Sequence, residues 1–104
     1  MKLISATIKP VKLDPLLETI QKYKNIIGLN IVHSHGFEHI SHFKEDDLLE
    51  MKPYVKIEIT VHDDAVDYVH NLIIEAVYTG ISGDGRISIL PVESCFRIAS
   101  KKYL

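Results

Sequence analysis

Little in this chain points to a covalent or membrane-bound scaffold. Among 104 residues there is one cysteine and no tryptophan. The lone thiol, Cys95, excludes an intrachain disulfide and fits a reducing compartment. No apolar run approaches the roughly 20 residues of a membrane-spanning helix, and the first residues lack a signal-peptide core. Direct membrane insertion is therefore not expected, and a cytoplasmic location is. Charge of one sign is also missing: twelve basic against fourteen acidic residues leave a net charge of −2, without the basic footprint that nucleic-acid binding requires. Catalytic motifs are absent too. No serine or cysteine stands in a nucleophile motif, Cys95 is expected in a strand without a base, and Asp46, Asp47 and Glu50 have nothing to fix their geometry. An enzyme is not expected. What remains is a 46% hydrophobic, 25% charged composition, ordinary for a globular protein and long enough for one domain over residues 1–104.

The pattern of residues predicts six elements. Residues 2–9 read as a strand stopped by Pro10. Asp14 and Pro15 read as N-cap and first helical residue, with Leu13, Leu16, Leu17 and Ile20 on one face and an end near Asn25 or Gly28. Residues 29–35 form a second strand, placing Leu29, Ile31, His33 and His35 on one side. Residues 55–62 alternate strictly, with Val55, Ile57, Ile59 and Val61 opposed to Lys56, Glu58, Thr60 and His62. Asp63 or Asp64 then caps a helix carrying Val66, Val69, Leu72, Ile73 and Val77. A strand over 86–92 and a short run from Cys95 to Ile98 precede a basic tail. The order β-α-β-β-α-β predicts an α+β, ferredoxin-like sandwich with an antiparallel sheet and both helices on one face. The other face, with Ser5, Thr7, Lys56, Glu58, Thr60 and His62, is too polar for a dry core. It faces either water or a space between subunits, as in closed symmetric rings.

Three segments stand out. The connection over residues 36–53 is far longer than an ordinary hairpin loop and mixes acids with Phe37, Ile40, Phe43, Leu48, Leu49 and Met51; partner contact is its expected use. Histidines cluster beside it. His33 and His35 share a strand face, and His39 and His42 are one helical turn apart, spacings that suit a transition metal but are completed by no further motif. Residues 79–86, TGISGDGR, hold glycines at 80, 83 and 85 and end in an arginine. Such a run is either a plain helix-to-strand turn or an anion cradle, where converging amides and a guanidinium fork meet a phosphate. It is not a Walker A loop, which ends in Gly-Lys-Ser/Thr and joins strand to helix.

With these segments placed, the chain resembles the PII signal-transduction family. The opening MKLISATIKPVKLD is similar to that family's MKxIxAxIKPxKLD start. PYVKIEITVHDDAVD resembles its third strand and helix start, and TGISGDGRISILPVESCFRI its glycine loop, fourth strand and tail. The resemblance implies a homotrimer with adenine-nucleotide sites (ATP, ADP, AMP or cyclic AMP) in the clefts between subunits. It also implies that the long loop contacts a target, a membrane transporter or an enzyme. By position it places Gly83, Asp84, Gly85 and Arg86 around the phosphates, adds Arg97 as a further phosphate contact, and sets Asn30, Thr60, Gly36, Phe37 and Glu38 along the nucleotide. The departures are specific. The family's GFGRQ becomes Gly36, Phe37, Glu38, His39 and Ile40, without the glutamine that helps hold magnesium and 2-oxoglutarate. Tyr54 replaces the lysine that pairs with 2-oxoglutarate, and Ala99 replaces a second tail arginine, for which Lys101 or Lys102 could substitute. The implied protein is a divergent PII-like nucleotide regulator without standard 2-oxoglutarate sensing. A metal-responsive regulator using the four histidines and a trimeric adaptor without small-molecule binding are the alternatives.

Overall fold

A computed structural model describes residues 1–37 and 51–104. Its main sheet has four strands: β1 (Lys2–Ile8), β2 (Gly28–Gly36), β3 (Lys52–Val61) and β4 (Gly85–Pro91). They lie in the order β2-β3-β1-β4, and every neighbouring pair is antiparallel. Helices α1 (Leu13–Ile20) and α2 (Val66–Val77) connect strands that are parallel but one place apart, which is the ferredoxin-like arrangement.

The alternation in β3 sets the layers. Val55, Ile57, Ile59 and Val61 are buried on one face with Ile4, Ala6 and Ile8 of β1. Leu16 and Ile20 of α1, and Val69, Ile73 and Val77 of α2, close over them as one core. β2 runs past the edge of this cover, so Ile31 lies on the same face as Ile57 yet stays 39% exposed. Ile57 is fully buried, and Ile57→Val is expected to cost about 0.5–1.5 kcal/mol in a urea melt through the small cavity it leaves.

Several element boundaries differ from the sequence expectation, each for a physical reason. Helix α1 begins before Asp14, continuing a 3-10 turn over Pro10–Lys12, and no side chain caps it. Pro15 falls within the first turn, where its N–H would have no intrahelical partner, so it is tolerated there. The helix ends at Ile20, well short of Asn25, where the Tyr23 amide turns back to the Ile20 carbonyl at 2.9 Å. Neither Asp63 nor Asp64 caps α2. Asp63–Ala65 form a 3-10 turn, and the Asp63 carboxylate instead accepts from the Met1 ammonium at 2.6 Å, which lowers its pKa. β3 starts three residues earlier than its alternating pattern suggested. Cys95 stands just before a strand rather than in one. The tail forms a hairpin of β5 (Phe96–Arg97) and β6 (Lys102–Tyr103), turned at Lys101 with φ 54° and stacked edge-on between Phe96 and Tyr103 at 5.0 Å.

Candidate functional site

The glycine loop follows α2 and feeds β4. All three of its glycines have positive φ: 80° at Gly80, 96° at Gly83 and 114° at Gly85. The reasons differ. A methyl at Gly85 would stand 1.8 Å from the Thr7 carbonyl oxygen, so β1 and β4 can approach there only without a side chain. At Gly83 a methyl would meet only ordinary contacts, the Lys9 stem at 3.6 Å and the Tyr54 hydroxyl at 3.9 Å.

Asp84 has a role that composition did not disclose. Its carboxylate is turned into the loop, accepting from the Thr79 amide at 2.8 Å, the Gly80 amide at 3.0 Å and the Thr79 hydroxyl. The same hydroxyl accepts from the Ile81 amide at 3.1 Å, and Lys9 Nζ lies 3.6 Å from the carboxylate. Asp84 is thus a strut that holds the turn, and the amides of Thr79 and Gly80 are spent on it rather than turned outward. The Thr79 hydroxyl, then the Thr79 and Gly80 amides and Lys9, lower its pKa to about 2. A carboxylate with a depressed pKa stabilises the fold above its unfolded value and loses that contribution as pH falls through its folded value. The expected result is a loop that holds at pH 4 and loosens toward pH 2. Asp84→Asn should flatten the stability-versus-pH slope in that window, read by acid titration of the melting temperature.

Register shows where the remaining residues fall. On the sheet face away from the helices, Arg86, Thr7, Lys56 and Val32 stand in one row across β4, β1, β3 and β2. With Ser34, Gly36, Phe37 and Tyr54 they line a cavity of about 260 Å³. Gly83, Asp84, Gly85, Arg86, Gly36 and Phe37 therefore gather at one end of the sheet. Thr60 pairs with Leu3 and Gly28 near the other end, with Asn30 between. Arg97 is at that far end, lining a cavity of about 350 Å³ with Tyr23, Asn25, His62, Asp64 and Leu104. From Tyr54 to Thr60 along β3 is about 20 Å at the usual strand rise. One subunit therefore does not bring Arg86 and Arg97 together. Sequence reading had not singled out His62 and Asp64 beside Arg97, or Lys9 and Thr79 around Asp84. The pairing of Thr79 with an acid five residues on was the available signal.

Glu38, His39 and His42 lie outside the described residues. His33 and His35 are both exposed. Among the described residues, no group of three or more histidines, cysteines or acids is arranged to hold a metal.

The topology and the built glycine turn define a ferredoxin-like α+β domain whose polar sheet face and loop end stand apart from its core. Comparison with known proteins specifies the family. A family model for nitrogen regulatory protein P-II matches residues 1–102. The nitrogen regulatory protein P-II of Haemophilus influenzae and the nitrogen regulatory protein P-II 1 of Escherichia coli K12 are each 37% identical over 103 residues, covering 94% of this chain and 91% of the relative. That of Azospirillum brasilense is 35% identical with the same coverage. The chain belongs to the nitrogen regulatory protein P-II family and is a signal-transduction regulator. No helix among its described residues is long and apolar enough to cross a membrane.

Proposed function

We propose that this chain assembles as a cytoplasmic homotrimer, binds adenine nucleotides between subunits, and controls a transporter or enzyme through residues 36–53 without catalysing a reaction. The separation of the two arginines carries this reading. Arg86 stands with the glycine loop at one end of the sheet and Arg97 about 20 Å or more away at the other, so a ligand using both needs two subunits. The C-terminal hairpin supports association. A two-stranded hairpin is marginal alone, and here it exposes Phe96, Ile98 and Tyr103, with Ile98 85% exposed. The polar sheet face, with its Lys56–Glu58 ion pair at 3.1 Å, suits the lining of a wet central space.

Within this reading Asp84 shapes the cradle, while Gly83, Gly85 and Arg86 meet the phosphates. Gly36 and Phe37 border the nucleotide beside the glycine loop, as Glu38 would by its position in the family, and Asn30, Thr60 and Arg97 of an adjoining subunit complete the site. A phenol at position 54 cannot supply the cation that 2-oxoglutarate would need, so no response to 2-oxoglutarate with magnesium is expected. Calorimetry with AMP, ADP, ATP and cyclic AMP is the test. At least one should bind, and Arg86→Ala should weaken it by about 1.5–3 kcal/mol, the worth of a hydrogen bond to a charged group. Absence of binding by all four at millimolar concentration, or unchanged affinity in the variant, removes the proposed site.

A further inference from the structure

Tyr54 is buried where the fold offers no core. It lies on the polar face of β3, beside Lys56, Glu58 and Thr60, which are all partly exposed. Yet it is only 6% exposed, and it belongs to none of the contacts that make up the hydrophobic core between sheet and helices. Loops at that end of the sheet supply part of its cover. Two are in place. On one side its hydroxyl faces Gly83, 3.9 Å from where a Cβ would stand, with the Lys9 stem alongside. On the other, Tyr54 pairs with Ser34 across β3 and β2 and lines the same cavity as Gly36, Phe37 and Arg86. A tyrosine ring is large and has only two side-chain torsions, so fixing it costs little entropy for the area it fills.

We propose that Tyr54 is a positioning residue, whose buried ring props the glycine loop at Gly83 and the end of β2 at Gly36 and Phe37 against each other. An anionic group held beside Arg86 would then be sensed at Phe37 through this ring. The prop itself stands on the geometry of one chain. Its signalling consequence rests on the nucleotide reading given above.

The experiment is hydrogen exchange on the full chain, with and without AMP, for the parent, Tyr54→Ala, Tyr54→Leu and Tyr54→Phe. Without ligand, the Ala and Leu variants should exchange faster at residues 80–86 and at 34–37 together, while the helices keep parental protection. Phe, which retains the ring, should restore both segments. With AMP, the parent should gain protection at 34–37. The Ala and Leu variants should lose that response and bind AMP at least about tenfold more weakly, and Phe should bind within about twofold of the parent. Faster exchange spread evenly over the whole sheet, or confined to only one of the two segments, overturns the prop. An AMP response at 34–37 that survives in Tyr54→Ala overturns the signalling consequence. If AMP fails to bind the parent, it is the nucleotide reading that falls, and the ligand-free exchange still decides the role of Tyr54. Leu guards against an Ala variant that does not fold.

Discussion

Gly85→Ala is expected to destabilise the domain by about 3–5 kcal/mol, a large share of the roughly 5–15 kcal/mol that holds a domain of this kind together. Two costs add. Alanine at φ 114° is strained wherever it stands, at about 1–3 kcal/mol. The larger cost is local: the new methyl would lie 1.8 Å from the Thr7 carbonyl oxygen and 3.2 Å from the Ile8 Cα. Both are backbone, so no side chain can swing aside. β4 must instead part from β1 at the pairing of Ile8 with Gly85, the first register position of the strand. Gly83→Ala is the control. It has a similarly unfavourable φ of 96°, but its methyl meets only a flexible lysine stem and a phenol at ordinary distances, so only the strain applies. Urea unfolding of the two variants separates the effects. A loss below about 1 kcal/mol for Gly85→Ala would mean that β4 does not enter the sheet as described.

That contrast marks the boundary of what the sequence made legible. Strict alternation over residues 55–62 announced a strand buried on one face, and the burial of Ile57 and Ile59 follows it residue by residue. Two amphipathic helices and the order of elements were enough for the topology. Helix starts were less legible because capping depends on what else competes for the carboxylate: Asp63 is taken by Met1, sixty-two residues away, and no local pattern records this. At the site, the glycine run was visible but the job of each residue was not. Asp84 reads as an acid among glycines. Whether it faces a ligand or braces the loop depends on the path of the backbone between Thr79 and Gly80. Tyr54 stands just before the stretch whose alternation was legible, and its burial is due in part to loops that no periodicity describes. The separation of Arg86 from Arg97 emerged only once the antiparallel register had put Gly85 beside Ile8 and Thr60 beside Leu3.

Mixing two weakened variants is expected to restore parental nucleotide affinity at a fraction of the sites, and this result most directly tests a site shared between subunits. Arg86→Ala removes the cation at the glycine loop, and Arg97→Ala removes the one at the far end of the sheet. Each homotrimer then carries three damaged sites, with affinity reduced by about 1.5–3 kcal/mol, or roughly 10- to 150-fold. In a closed ring each site joins the glycine loop of one subunit to the tail of the next. In any mixed trimer, one junction pairs an intact loop with an intact tail, a second is doubly damaged and the third singly damaged. Random reassembly from equal amounts leaves about three quarters of the trimers mixed, so about one quarter of all sites should recover parental affinity. Calorimetry after unfolding and refolding the two variants together reads that fraction as a high-affinity phase. A site built within one chain predicts no such phase at any mixing ratio, because every chain carries its own defect. The two outcomes differ by at least about tenfold in affinity for a quarter of the sites, well within what a titration resolves. Reassembly at unequal ratios adds a second check. The recovered fraction should peak at equal mixing and fall symmetrically on either side, since a ring needs both variants for one repaired junction.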